Sequence, residues 1–154
     1  MEKIKIAGLR QVLNLSQINI LSLPSFSDSM VKVLDPLAES GINLEFFVAQ
    51  ASADETMDLT LGVKRNHTPA ALGLLQGMKE KFREVHSRDH VGMISLFPHG
   101  TRAAVIGNFF SAFNDAGIRL LSIHFSLSAI SGLIEENLIP EALSVLGEYF
   151  ELPG

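Results

Sequence analysis

Apolar and polar positions alternate in two different rhythms along this chain, and the rhythms divide it into two similar halves. Ile4 to Leu15 alternates loosely around Gly8, which predicts a short strand and a turn. Ile18-Asn19-Ile20-Leu21-Ser22-Leu23 predicts a buried strand, ended by Pro24 and the loop Ser25 to Ser29. Met30, Val33, Leu34 and Leu37 then recur at helical spacing, with Lys32, Asp35 and Glu39 on the opposite face. Pro36 lies inside that helix, where the missing donor predicts a bend. Gly41 supplies its left-handed stop. A strand is expected from Ile42 to Ala51, and a turn at Ser52 to Glu55 leads to the cleanest strand of the chain. There Met57, Leu59, Leu61 and Val63 point one way and Asp58, Thr60 and Gly62 the other. Thr68-Pro69 reads as N-cap and first-turn proline of a second helix, with Ala71, Leu74, Leu75, Met78 and Phe82 inward.

After a polar connector, Arg83 to Asp89, with a short strand around Glu84 to His86, the series repeats. Val91 to Phe97 is a strand and Pro98 to Thr101 a loop. Ala103 to Asp115 is a helix with Val105, Ile106, Phe109, Phe110 and Phe113 inward. Gly117 ends it, 76 positions after Gly41, and a duplication is the simplest account. The next strand places Leu121, Ile123, Phe125 and Leu127 on one face and Ser122, His124 and Ser126 on the other. Ile130 to Ile134 is the last clear strand, and Pro140 opens a helix with Ala142, Leu143, Leu146, Tyr149 and Phe150 inward. Neither half carries a fourth strand of its own. The segments around Arg83 to Arg88 and Ile4 to Leu9 are expected to supply those edges, exchanged between units.

Composition narrows the function classes. With 154 residues, 47% of them hydrophobic, the chain can bury a core as one medium domain or two small ones. A net charge of -5 without a basic block argues against nucleic acid and anionic membrane partners. Its apolar runs fall short of the roughly 20 residues that span a bilayer, and the charged start lacks a secretory pattern, so a cytoplasmic protein is expected. There is no cysteine, which excludes disulfides, zinc-thiolate sites and thiol catalysis. No phosphate loop, nucleophile elbow or paired-carboxylate pattern appears, and no cofactor is implied. Five histidines, two of them four apart at His86 and His90, lack a second ligand pair at metal spacing. His124 reads as a satisfied interior or interface histidine.

Four stretches resemble ACT domains, the small ferredoxin-like βαββαβ modules that bind amino acids, and specifically the tandem pair at the C-terminal end of aspartate kinases. Leu37-Ala38-Glu39-Ser40-Gly41-Ile42-Asn43-Leu44 is similar to the family's Leu-Ala-Glu-Ala-Gly-Ile-Asn-Val. Ser52 to Asp58, followed by Leu59, is similar to its Ser-x-x-x-Thr-x-Asp-hydrophobic turn. Phe113 to Ile118 and Ile123-His124-Phe125-Ser126 resemble the same hinge and strand in the second copy. The resemblance implies an α+β fold of two ferredoxin-like units, antiparallel sheets with helices on one face. It implies units at 1–88 and 89–154, with the N-terminal strand exchanged. No stretch resembles the kinase catalytic domain, so a non-catalytic regulatory protein is expected. Its partners would be a small amino acid, a second copy of the chain and a biosynthetic enzyme.

In the family the effector lies against the loop and helix start after the first strand, where exposed amides hold a carboxylate. Carried onto this chain, that site comprises Ser25, Ser27, Asp28, Ser29 and Met30 beside Gln50 in the first unit. In the second it comprises His99, Gly100, Thr101 and Arg102 near Ser126. Each has an ordinary explanation as well: Asp28 as dipole partner, the Ser and Thr residues as turn formers, Arg102 as a solvated side chain. The chain departs from the family's Asp-x-Pro-Gly loop at Ser25 to Asp28, and carries Arg119 where the hinge has Asn. These departures leave a second reading open, a dimerisation or assembly module that has lost the ligand site.

Overall fold

The computed structural model describes residues 2–24, 28–78 and 82–153. Strands β1 (Ile4–Pro24), β2 (Phe46–Ala51), β3 (Thr56–Lys64), β4 (Glu84–Pro98), β5 (Ser122–Phe125), β6 (Ile130–Glu135) and β7 (Phe150–Glu151) alternate with four helices. These are α1 (Ser29–Glu39), α2 (Thr68–Gln76), α3 (Ala103–Ala116) and α4 (Ile139–Tyr149), and the fold is α+β. The chain forms two compact units, a first unit of Asn14–Asp89 and a second of the residues up to Leu13 with those from His90 onward.

In the first unit the strand order is β2-β3-β1-β4. β3 runs antiparallel to β1, with Ile18 opposite Leu61 and Ile20 opposite Leu59, and antiparallel to β2, with Phe47 opposite Leu61. The period-2 pattern of β3 sends Leu59, Leu61 and Val63 to the helical face, where they pack with Ile18, Ile20, Val33, Leu37, Ala71 and Leu75 in one cluster. The opening of β4 joins this sheet through Arg83 N–H donating to the Leu21 carbonyl at 2.9 Å and Ser16 Oγ donating to Asp89 Oδ1 at 2.7 Å.

The second unit repeats the plan in the order β5-β6-β4-β1. β6 lies antiparallel between β4 and β5, with Ile94 opposite Gly132 and Phe125 opposite Ile130. β7 adds a short parallel pairing to β1, Ile4 opposite Phe150 and Lys5 opposite Glu151. Its core holds Phe109 4.8 Å, ring centre to ring centre, from Phe113, and at the core's rim the exposed Phe110 meets Phe109 edge-to-face at 6.2 Å. Ile94, Leu96, Ile134, Ala142 and Leu146 complete that core.

The two glycine hinges have the same geometry. Gly41 and Gly117 take φ of +71° and +66°, the left-handed region where a Cβ is penalised. In each, the following isoleucine donates its N–H back to the helix, Ile42 to the Leu37 carbonyl and Ile118 to that of Phe113, both at 2.9 Å. Ile42 and Ile118 are both buried behind the hinge.

Several sequence expectations are corrected. The turn around Gly8 does not form, because β1 continues unbroken for 21 residues, and β2 begins at Phe46 rather than at Ile42, which is bonded back to the helix end instead. Arg83 to Asp89 is not a connector with a short strand; from Glu84 it is the first part of the 15-residue β4. Both long strands contain a non-glycine residue with positive φ where the chain passes from one unit to the other, Asn14 at +60° and His90 at +58°. Asn and His are among the residues that best tolerate that region. Thr68 is the first residue of α2 rather than its cap; a single 3₁₀ turn, Arg65–His67, precedes it, and His67 holds the cap position. Phe110, expected inward, is 44% exposed. Leu127 lies beyond the end of β5 and is 82% exposed. Helix α1 runs through Pro36 to Glu39, with the Pro36 carbonyl still accepting from Ser40.

Candidate functional site

Each unit turns from its first strand into its first helix at the place the resemblance marks. In the first unit, Ser25 and Ser27 lie outside the described residues. Asp28 holds the cap position of α1, but its side chain makes no capping hydrogen bond. Its carboxylate instead pairs with Lys32 one turn on, at 3.2 Å, both side chains more than half exposed. Ser29 is buried and Met30 packs against the unit's core. Gln50 stands exposed on the edge strand β2, opposite Asp58 and on the sheet face turned away from Leu59 and Leu61. Among the described residues no hydrogen bond joins Gln50 to the start of α1.

The Ser-Thr-Asp turn has a structural task. Ser52 N–H donates to the Thr56 carbonyl at 2.7 Å, and Thr56 Oγ1 donates to Asp54 Oδ1 at 2.6 Å. That hydroxyl holds the exposed Asp54 carboxyl below the usual carboxylate range. Asp58 reaches across to β1, where its Oδ1 accepts the N–H of Ser22 at 2.9 Å. Ser22 has φ of +62° and lies in the register shift between Ile20 and Leu23. The aspartate thus satisfies a donor that the irregular backbone removes from the ladder, two residues before the chain leaves β1.

In the second unit, His99 to Arg102 connects β4 to α3, and Arg102 occupies the cap position without a side-chain cap. His99 and Arg102 line an open cleft of about 760 Å³ together with Glu2, Lys3, Lys5 and Glu151. These four were not legible as site residues, because they come from the chain's two ends and meet only through the β1–β7 pairing. Gly100 and Thr101 are in the connecting loop but do not line the cleft. Ser126 is elsewhere, in the β5–β6 turn, where its N–H donates to the Ala129 carbonyl at 2.9 Å and its Oγ to the same oxygen at 3.4 Å. The structure therefore brings His99 and Arg102 together and leaves Ser126 apart.

The histidines form no metal centre among the described residues, which contain no group of three His, Asp or Glu side chains placed to hold an ion. His86 and Glu84 form an exposed pair at 2.5 Å. His124 is exposed on β5 rather than interior. Its strand neighbour across the ladder, Ser131, shares a hydrogen bond of 2.7 Å with Ser95. No described helix is long and apolar enough to cross a membrane.

No family model matches the sequence. It is 29% identical over 160 residues to an aspartokinase of Mycolicibacterium smegmatis; the match covers 100% of this chain and 38% of that protein. The chain thus spans well under half the length of this relative. Among solved structures, the ligand-free regulatory subunit of aspartate kinase from Thermus thermophilus superposes with a TM-score of 0.82 at 23% identity, covering 95% of this chain and 99% of the subunit. E. coli aspartokinase III in complex with lysine and aspartate, in its T-state, gives 0.70 at 16% identity, over 95% of this chain and 33% of that one. The chain shares the α+β fold of that solved subunit, built as two units that repeat one plan.

Proposed function

We propose that this chain is an amino-acid-binding regulatory part of an aspartate kinase system and catalyses no reaction itself. The observation that carries the reading is the span of the match: this chain covers 99% of a solved regulatory subunit and only 38% of a whole aspartokinase relative. The chain passes from the first module to the second near residue 89, and the second takes an edge strand from the N-terminal segment. An amino acid would sit at the strand-to-helix turns, its carboxylate toward the exposed amides at a helix start. Ser25, Ser27, Asp28, Ser29, Met30 and Gln50 form one proposed site, and His99, Gly100, Thr101 and Arg102 the other, from which Ser126 is set apart in the β5–β6 turn.

Binding would shift the population between two packings of the modules, by no more than the ligand's differential affinity for them. A catalytic subunit of a cytoplasmic biosynthetic enzyme, together with a second copy of this chain, would be the recipient. One lysine-bound relative of the same fold supports a small amino acid as the class of ligand.

Thermal unfolding of the purified chain against a panel of common amino acids tests this. A selective ligand at a hundredfold excess over its dissociation constant adds about 2.7 kcal/mol of stability. A flat response across the panel would overturn the sensor reading.

The assembly module stays as second reading because of a specific feature of the first unit. Asp28 is already paired with Lys32, and Gln50 faces away from the helices. An unchanged dimer with no amino-acid response, in sedimentation run with and without the panel, would favour it.

A further inference from the structure

We propose that the cleft at the start of α3 selects an amino acid with a second carboxylate, a dicarboxylic amino acid, over neutral and basic ones. The inference rests on the amino-acid-binding reading above and names the ligand class for the second unit alone. Lys3, Lys5 and Arg102 bring three permanent cations to the cleft, and Glu2 and Glu151 two carboxylates. Among the described residues none of these five forms an ion pair with another. Lys5 and Glu151 are even register partners across β1 and β7, yet their charged ends stay apart and available.

The charges match one ligand pattern. A ligand with two carboxylates and one ammonium places both anions among three cations and its ammonium between two carboxylates. A neutral amino acid leaves the surplus cation unanswered. A lysine-like ligand brings a second ammonium toward that surplus. A dicarboxylate without an amine, or inorganic phosphate, sets its charge against Glu2 and Glu151 with no ammonium to answer them. The first turn of α3 adds the positive end of a 14-residue helix, beside which Arg102 is itself unfavourably placed until an anion arrives. All five charged side chains are exposed, so each pair is weak and screened, and a dissociation constant on the order of millimolar is expected.

The test is a chemical-shift titration of the ¹⁵N-labelled full chain at low salt with L-glutamate, L-aspartate, glutarate, L-lysine, L-threonine and inorganic phosphate. Glutamate or aspartate should bind about fivefold or more tightly than the others, with shifts at the amides of Lys3, Lys5 and Ala103 to Val105, weakened about fivefold by Arg102→Gln. Glu151→Gln should narrow the gap between glutamate and glutarate, a change that a merely structural role would not produce. Tighter binding of lysine or threonine would overturn this inference and leave the sensor reading standing. Phosphate binding as tightly as glutamate would reduce the cleft to a simple anion site and overturn it too. No shift with any amino acid would overturn both readings.

Discussion

The two units carry opposite charges at the same point of the same fold. Asp28 caps α1 and Arg102 caps α3, each four residues after the proline that ends the preceding strand. Asp28 suits the positive helix end and is occupied by Lys32 at 3.2 Å. Arg102 opposes that end and faces an open cleft with two lysines. Among the described residues Arg102 has no ion-pair partner, so its place at a positive helix end fits the proposed anion in the cleft. The duplicated modules thus keep the spacing from proline to helix cap and diverge both in the charge presented there and in the cap backbone, φ/ψ of -99°/16° at Asp28 against -63°/138° at Arg102.

The largest expected effect lies in the cores, where the units differ in side-chain size. Phe109→Ala should destabilise the protein by about 3–5 kcal/mol, since the ring is fully buried against Phe113 and its removal leaves a cavity. Its neighbour Phe110 is 44% exposed, and Phe110→Ala should cost less than about 1 kcal/mol. Urea denaturation of both variants checks the contrast; equal losses would show that Phe110 is buried after all.

A smaller effect separates two sheet glycines. A Cβ at Gly62 would lie 2.8 Å from the Cβ of Phe46, a rigid atom beside the backbone, whereas one at Gly132 would meet the far end of Leu120 at 2.8 Å. Leu120 can change rotamer. Gly62→Ala should therefore cost about 1–3 kcal/mol through overpacking, and Gly132→Ala less. Melting temperatures in the reverse order would contradict the assigned register of β2 on β3.

Next come the caps. Arg102→Asp should stabilise α3 by about 0.5–1 kcal/mol, adding a helix-end anion and a capping oxygen, while abolishing anion binding in the cleft. Asp28→Ala should lose only about 0.3–0.5 kcal/mol, the worth of an exposed pair one turn apart. Thermal unfolding in low salt measures both. A loss of stability in Arg102→Asp would mean that the arginine already has a structural partner.

The smallest differences are in pH response. Thr56 holds the Asp54 carboxyl low in the folded first unit. A depressed folded value contributes stability above the unfolded carboxylate range that is lost as pH falls through it. Thr56→Val should therefore blunt the acid end of the stability profile. In the second unit, the hydrogen bond from Tyr149 to Asp115 raises the phenol, with burial and the carboxylate charge acting the same way. A raised value contributes stability below about pH 10 that is lost as pH rises through it. Tyr149→Phe should flatten only the alkaline end. Melts monitored by circular dichroism from pH 3 to pH 11 would show the two ends responding to different variants; a shift of both ends in either variant would break the assignment.

Local pattern was enough for the elements that depend on short-range physics. The alternation of Leu59, Leu61 and Val63 marked a half-buried strand, and Gly41 and Gly117 marked helix stops because a left-handed backbone admits few other residues. The repeat itself was legible from those hinges, and so were the two strand-to-helix turns. What the sequence could not determine was long-range. That Ile4 to Pro24 and Glu84 to Pro98 are unbroken strands depends on neighbours far along the chain, which supply hydrogen bonds that polar residues such as Arg88 and Asp89 do not advertise. That Asp58 serves the irregular backbone at Ser22 follows only from a register between strands 36 positions apart. The cleft at Arg102 was half legible. Its loop could be named from the turn, but Lys3, Lys5 and Glu151 arrive through the pairing of the two chain ends, and proximity of that kind is written in tertiary packing rather than in any local spacing.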